Sequence, residues 1–136
     1  MTKKIFKSNI LVAAAVLIFG IACVMAILYQ HFGIQINTEL EKEASYLAYG
    51  VEQNGTDYLK LIKEKDDRIT YIAENGTVLY DNQADADSME NHSDRKEIQE
   101  ALKTGSGHAE RTSKTLSQKT MYYALRLSDN SVLRVS

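Results

Sequence analysis

The chain has 136 residues, a length that allows one domain with an appendage but not two full-sized domains. Its charge is unevenly placed: all 18 acidic residues and 13 of the 16 basic ones lie beyond Gly33, so that part carries a formal charge of about −5. This acidic balance argues against nucleic acid as a partner, because nucleic-acid-binding proteins present basic surfaces. Cys23 is the only cysteine, which excludes an intrachain disulfide.

An uncharged apolar segment of twenty residues runs from Ile10 to Tyr29. At about 1.5 Å per helical residue it extends roughly 30 Å, the thickness of the hydrocarbon core of a bilayer. It predicts a single transmembrane helix over residues 10–32, after a cytoplasmic N-terminus of residues 1–9. Three lysines precede the segment and no lysine or arginine follows it before Lys42, so the positive-inside rule places residues 33–136 outside the cell membrane.

Two processing alternatives compete with the spanning helix. A cleaved signal peptide has an apolar region of only about 7 to 15 residues before a small-residue site, and this segment is longer. A lipoprotein would use the thiol of Cys23, which follows Gly20-Ile21-Ala22, but the apolar run continues beyond it to Tyr29. The sequence therefore favours the spanning helix over both.

The residues from Gly33 to Asn54 have the pattern of an amphipathic helix. Apolar residues recur at spacings of three and four: Ile36, Leu40, Ala44, Leu47 and Val51. This stripe can pack on the sheet that follows, or pair with its twin as a dimer seam, because coiled coils use the same spacing. In the second case, cysteines placed at Leu40 and Leu47 would crosslink two copies.

A short second helix follows, and then a hairpin. Asn54-Gly55 ends the long helix, and Thr56 is predicted to cap a helix over residues 57–65. In the stretch DRITYIAENGTVLYDN, the runs 69–73 and 77–80 are rich in β-branched and aromatic residues. Between them, Asn75-Gly76 accepts the positive φ angles of a tight turn, so the stretch predicts two antiparallel strands.

The second half of the chain predicts a loop, a helix and three strands. Residues 82–91 are polar, acidic and without periodicity, as in a loop. Asp94 is expected to cap a helix over residues 95–104, with Glu97 completing a variant of the capping box and Gly105 ending the helix. Strands are predicted over 108–116, 120–127 and 131–135, and the middle strand places Met121, Tyr123, Leu125 and Leu127 on one face.

The order of these elements predicts an α+β fold. A transmembrane helix continues into a long helix, and a five-stranded antiparallel sheet follows, with a helical insertion after strand two. The segments RITYIAENGTVLYDN, NHSDRKEIQEAL, MYYALRL and VLRVS resemble the extracytoplasmic PAS-like sensor domain of Gram-positive membrane histidine kinases of the phosphate-sensing and cell-wall-sensing types.

The resemblance implies a function in signal sensing. The chain would be the extracellular, membrane-anchored module of a two-component sensor histidine kinase, a homodimer that responds to a small ligand or an accessory protein. It implies neither enzyme activity nor a cofactor for these residues, whereas the parent protein would be an ATP-dependent kinase. The second membrane helix, the phosphoacceptor helix and the ATP-binding lobe of such a kinase do not occur before Ser136, so a longer parent protein is expected.

The same resemblance places a candidate site between the open face of the sheet and the loop that enters the helix. The candidate residues, for ligand binding or for organising the loop, are Tyr71, Tyr80, Asp81, His92, Arg95, Glu97 and Tyr122. A pair between Arg95 and Asp81 or an exposed acid would pin the loop to the sheet, and this scaffolding role is favoured over direct contact with a ligand. No catalytic constellation is predicted.

The alternatives to this interpretation are a metal site and three other classes of protein. As a calcium loop beginning at Asp81, the chain has Ala86 where a glycine is needed and His92 where a bidentate glutamate is needed, so a solvated acidic loop is favoured over a metal. Chemoreceptors and cyclic-dinucleotide enzymes carry the same class of sensor and remain alternatives. A pilin-like structural subunit is disfavoured, because Lys7-Ser8-Asn9 replaces the expected processing site.

Overall fold

The computed structural model describes residues 2–62, 67–112 and 119–136. The helices are α1 (Thr2–Asn54), α2 (Thr56–Leu61) and α3 (Lys96–Thr104), with a 3₁₀ turn at Ala86–Ser88. The strands are β1 (Ile69–Ile72), β2 (Val78–Asp81), β3 (Ser106–Thr112), β4 (Lys119–Arg126) and β5 (Val132–Val135). The ends of the predicted second helix and third strand, within residues 63–66 and 113–118, lie outside the described residues.

The chain divides into two compact units, Met1–Gln35 and Ile36–Ser136. In the first unit, the large apolar side chains from Ile5 to Phe32 are exposed. Among the described residues, one helix is long and apolar enough to cross a membrane, and it is α1. The predicted transmembrane helix and the long helix after it are thus one continuous helix, as expected of a single-pass anchor.

The second unit contains a five-stranded antiparallel sheet with the strand order β2-β1-β5-β4-β3. Helix α3 lies between β2 and β3 in the chain, which confirms the predicted helical insertion after the second strand. The short β1–β2 turn brings the first two strands together. The last strand, β5, enters between β1 and β4 and therefore occupies the centre of the sheet.

One face of the sheet buries the apolar stripe of α1 from Leu40 to Val51, whereas Ile36, its first member, remains 43% exposed. Leu40 and Leu47 are 6% and 2% exposed, and they belong to one apolar cluster with Tyr71 of β1, Leu133 of β5 and Tyr123 of β4. Of the two packings open to the stripe, the structure therefore has the one on the sheet. The two leucines cannot also form a dimer seam, because their side chains are already covered.

The other face of the sheet packs against α3. The strand register explains why the helix lies so close to strands β3 and β4. A row of directly paired residues crosses all five strands, and its members in sheet order are Asp81, Thr70, Arg134, Ala124 and Gly107. The two smallest residues lie on β4 and β3, under α3. A Cβ atom at Gly107 would lie 2.1 Å from the carbonyl oxygen of Glu97, so the helix approaches this strand at backbone distance.

Three local predictions about helix and turn ends are wrong. Thr56 does not cap α2: it is already helical, and Gly55 occupies the N-cap position without a side-chain bond. The capping box of α3 does not form, because Arg95 is the N-cap residue and Glu97 is turned into the interior. Of the two turn residues of the hairpin, only Gly76 has a positive φ, at 85°.

We predict that Gly107→Ala destabilises the protein by about 1–3 kcal/mol, because the added methyl group overpacks the contact between α3 and β3. Urea unfolding of the full chain in detergent micelles, followed by tyrosine fluorescence, measures this loss. Gly33→Ala is the matched control, since a Cβ there meets nothing within 4 Å, and alanine is preferred to glycine inside a helix. Equal unfolding midpoints for Gly107→Ala and the unmodified chain would contradict the close packing.

Candidate functional site

A chain of polar side chains is buried on the face of the sheet that α3 covers. Thr70, Asp81 and Arg134 are 0%, 8% and 4% exposed. They lie side by side because β2, β1 and β5 pair at these positions. Arg134 Nη2 donates to Thr70 Oγ1 at 3.0 Å, and the same hydroxyl donates to Asp81 Oδ2 at 2.8 Å. The threonine hydroxyl therefore links a buried cation to a buried anion.

The Asp81 carboxylate anchors the loop that leaves β2. It accepts hydrogen bonds from Arg68 Nε at 3.0 Å and from the backbone N–H groups of Gln83 and Ala84, each at 2.9 Å. Burial alone would raise the pKa of Asp81, but the bonds from Gln83, Thr70 and Arg68 outweigh it, and the pKa lies below its ordinary value. The expected partner, Arg95, is not bonded to Asp81. Arg68, which directly precedes the neighbouring strand β1, forms the ion pair instead.

Glu97 connects α3 to the sheet. Its side chain is fully buried, and its two carboxylate oxygens face two different arginines, Arg111 of β3 and Arg134 of β5. The contact with Arg111 is a short hydrogen bond, whereas Arg134 Nη1 lies 3.5 Å from Glu97 Oε1. One carboxylate thus serves two guanidinium groups, and the nearer of them receives the stronger bond.

Tyr122 lies between the same two arginines. The guanidinium carbon of Arg111 is 4.4 Å from the centre of the tyrosine ring, and that of Arg134 is 5.3 Å from it. Cations at this distance from an aromatic face are attracted by its quadrupole, so the ring stabilises charges that Glu97 alone cannot neutralise. Tyr123, its neighbour in β4, lies on the opposite face in the α1 cluster, as the strand alternation predicted.

His92 is buried beside this cluster, with 6% of its surface exposed. Its backbone N–H donates to the carbonyl of Gly76 at 2.8 Å, which holds the loop against the β1–β2 turn. Burial lowers the pKa of the imidazole, and the positive charges of Arg134, Arg95 and Arg68 lower it further, while Glu97 acts in the opposite direction. The ring is therefore neutral near pH 7, and Nδ1 has no hydrogen-bond partner among the described residues.

Arg95 lies at the N-cap of α3 and has no strong ionic partner in the part of the chain that the structure describes. Its Nε atom is buried without a hydrogen bond, and the nearest carboxylate oxygen, of Asp94, is 3.8 Å away. The pair with Asp94 is an exposed one: 79% of the aspartate side chain is accessible to solvent. Such a pair contributes little.

Two of the seven predicted site residues lie elsewhere. The hydroxyl of Tyr71 accepts a bond from Ser131 Oγ at 3.0 Å, and the hydroxyl of Tyr80 donates to the carbonyl of Leu59 at 3.0 Å. Both rings are associated with the α1 cluster on the opposite face. The structure brings together the other five: Asp81, His92, Arg95, Glu97 and Tyr122.

Sequence reasoning missed four members of the cluster, namely Arg68, Thr70, Arg111 and Arg134. A signal for three of them was present in the sequence. In VLRV, Arg134 is the one charged residue of an otherwise apolar strand, and in RIT, Arg68 and Thr70 alternate with the apolar Ile69. A charge in a fully buried strand needs a partner across the face it points to.

The surface near the loop that leaves β2 contains hollows. One, of about 250 Å³, is lined by Thr77, Val78, Ala86, Asp87, Met89 and Asn91, between β2 and the acidic loop. In that loop Asp85 accepts a bond from the N–H of Asp87 and so caps the 3₁₀ turn. Within the described ranges, no three His, Cys, Asp or Glu side chains are grouped to hold a metal ion.

Residues 33–132 match the family described as Single Cache-like. The match covers most of the second unit, including strands β1 to β4, and ends at the first residue of β5. No curated protein matches the chain significantly.

We predict that Glu97→Gln destabilises the protein by about 3 kcal/mol, because Arg134 is then left as a buried charge without an anion. Urea unfolding in detergent micelles measures this. Replacing the arginine as well, in Glu97→Gln/Arg134→Met, should recover part of the loss, since the unpaired charge is then gone. Glu90→Gln, in the exposed loop, is the matched control, and a loss at Glu97 no larger than at Glu90 would refute the role of the pair.

A pH dependence is also expected from His92. Its pKa in the folded chain lies below the ordinary value of about 6.5, so the unfolded chain binds more protons and stability rises with pH between the two pKa values. The stabilisation is complete above about pH 6.5 and is lost as the pH falls toward the folded pKa. Between pH 7.5 and 5.5, urea midpoints should fall more steeply for the unmodified chain than for His92→Gln. If the urea midpoints of the two proteins changed equally with pH, the buried imidazole would not be the cause of the pH dependence. Asp81 does not interfere with this comparison, because its carboxylate titrates only at more acidic pH.

Proposed function

Because the chain belongs to the Single Cache-like family, whose PAS-like domains are extracellular sensors of signalling proteins, we propose that it is the signal-receiving part of a membrane sensor histidine kinase. The observation that carries the proposal is the joining of a Cache-like unit to an apolar helix long enough to cross a membrane. Four segments resemble the sensor domains of Gram-positive histidine kinases, and this likeness supports a kinase over a chemoreceptor or a cyclic-dinucleotide enzyme. The N-terminus would then be cytoplasmic and the sensor unit extracellular.

The layered packing of the second unit gives a physical route for a signal. Helix α3 is tied to β5 through Glu97 and Arg134, and β5 lies at the centre of the sheet whose other face holds the α1 stripe. A ligand or partner that binds one position of α3 better than another shifts the population of sheet arrangements. The shift cannot exceed the difference between its two binding free energies.

A homodimer is the second part of the proposal. Leu40 and Leu47 are covered by the sheet. A dimer interface formed by the second unit would therefore use another face of α1. Tyr46 and Tyr49 are 75% and 72% exposed and lie three residues apart on such a face. Large aromatic side chains that remain this exposed are suited to contact with a second copy.

The proposal makes three predictions for the native host: the orientation of the chain in the membrane, the mass of the crosslinked dimer, and phosphorylation of the full-length protein. With Cys23 replaced by alanine, Ser128→Cys should react with a membrane-impermeant maleimide in intact cells. Ser8→Cys, the matched control, should react only after permeabilisation. Chemical crosslinking should give a species of doubled mass, and membranes that contain the native full-length protein should incorporate the γ-phosphate of ATP into it.

Each readout can contradict its own part. Labelling of Ser8→Cys in intact cells would reverse the orientation, and absence of the doubled species would refute the dimer. Formation of a cyclic dinucleotide or methylation of glutamate side chains, without phosphorylation, would assign the sensor to another class of signalling protein.

A further inference from the structure

His92 is the one buried residue in the segment that connects β2 to α3. This connecting segment comprises residues 82–95, and its other residues are exposed or only partly buried. His92 itself is 6% exposed, and its imidazole lies beside the buried ion cluster. A single titratable side chain therefore fixes the interior side of the whole connecting segment.

The backbone on either side of His92 lies against the β1–β2 turn. The N–H of His92 donates to the carbonyl of Gly76 at 2.8 Å, and the side-chain amide of Asn91 donates to the carbonyl of Asn75 at 2.9 Å. A Cβ atom at Gly76 would lie 2.5 Å from the backbone nitrogen of Ser93, so the turn and the connecting segment approach at backbone distance. The segment is thus docked on the turn, with the imidazole of His92 in the interior.

Charged groups from α3, from β5 and from the residue before β1 act on this imidazole. Three of them are cations and one is an anion: Arg68, Arg95 and Arg134 against Glu97. The carboxylate of Glu97 is already shared by Arg111 and Arg134, and Asp81, the other buried acid among the described residues, is bonded to Arg68 and Thr70. The acids of the turn and of the connecting segment are exposed: Glu74, Asp85, Asp87, Glu90 and Asp94. An additional cation at His92 would therefore find no free buried carboxylate in the described part of the chain.

Hydrogen bonding around His92 also favours the neutral ring. Nδ1 of His92 is buried without a hydrogen-bond partner among the described residues, as are two donors of the same cluster, the Nε atoms of Arg95 and Arg134. A neutral imidazole keeps one ring nitrogen as an acceptor, whereas an imidazolium has an N–H donor at both nitrogens. Protonation would thus add a donor where donors already lack acceptors, and a buried charge without a partner is costly.

We propose that His92 is a pH-sensitive anchor and that the proton is a signal to which the connecting segment responds. The neutral ring stays in the interior and keeps the segment docked on the β1–β2 turn. The protonated ring is more stable in water, so the segment detaches from the turn and exposes the imidazolium. This inference deepens the proposed sensor function by naming a signal, mild acidification outside the cell, and its signalling role rests on that function.

Detachment of the connecting segment changes how the start of α3 is held. The N–H of Arg95 donates to the carbonyl of His92 at 3.1 Å, and the side-chain amide of Gln99 donates to the carbonyl of Ser93 at 3.1 Å. These bonds join the first turns of α3 to the segment. The same helix is joined to the central strand β5 through Glu97, so protonation of His92 has a physical connection to the sheet.

The size of the effect follows from the two environments of the ring. The imidazole of the detached segment has an ordinary pKa of about 6.5, whereas burial and the three arginines lower the pKa of the docked ring. The detached form therefore binds protons more readily. Docking is fully stabilised above about pH 6.5 and weakens as the pH falls toward the pKa of the docked ring. Between pH 7.5 and 5.5, one histidine can raise the ratio of detached to docked segments by up to about tenfold.

The test is hydrogen–deuterium exchange of the full chain in detergent micelles, followed by NMR at pH 7.5 and 5.5. The observable is the protection factor of the His92 amide, which is corrected for the direct effect of pH on intrinsic exchange. We expect it to fall by about fivefold or more on acidification. The amides of β5 report global unfolding, and they should stay more protected than the His92 amide at both pH values.

Matched variants assign the effect to one ring. In His92→Gln, whose side chain does not titrate, the protection factor of the same amide should change by less than about twofold. In His108→Gln, which removes an exposed imidazole from β3, the full decrease should remain.

Three results would overturn the proposal. They are a smaller decrease in the unmodified chain, an equal decrease in His92→Gln, and protection of the His92 amide equal to that of β5, which would mean that the segment opens only when the whole unit unfolds. Because amide exchange is measured without any kinase activity, each of these results would leave the kinase proposal to its own labelling and phosphorylation readouts.

Discussion

The carboxylate of Glu97 is fully buried between α3 and the sheet, and two guanidinium groups share it. Burying a charge is costly unless an opposite charge and hydrogen bonds compensate it. Here one anion compensates two cations, and Tyr122 and Thr70 supply the remaining stabilisation. The position of α3 therefore depends on an ion cluster that is only partly neutralised. A change of charge next to Arg111 or Arg134 is expected to change how strongly each arginine interacts with the Glu97 carboxylate.

The strand register of the sheet makes room for this ion cluster. The register that aligns Asp81, Thr70 and Arg134 on one half of the sheet also aligns Ala124 and Gly107 on the other half. Small residues allow α3 to approach the backbone, and the polar residues give its buried glutamate a partner. The opposite face packs its apolar cluster against α1. The α3 face combines a second apolar cluster, which includes Ile72, Ile98 and Val132, with the buried ion cluster.

A sensor needs an element whose alternative positions differ little in free energy. An undercompensated ion cluster provides one, because exchange of partners among Arg111, Glu97 and Arg134 conserves charge and burial. A wholly apolar interface would bind α3 more uniformly and offer no such exchange. The location of the cluster against β5, the central strand, connects the exchange to the whole sheet.

The sequence alone determined the apolar helix, the α1 stripe, the order of elements and the insertion of α3, because periodicity and turn residues are local signals. It also indicated Asp81, His92, Arg95, Glu97 and Tyr122. Which residue pairs with which was decided only by the tertiary structure. Arg68, not Arg95, meets Asp81, and the leucines expected at a seam or a sheet lie on the sheet. Such pairings depend on strand register and on helix position, which join residues far apart in the chain and leave no mark in local spacing.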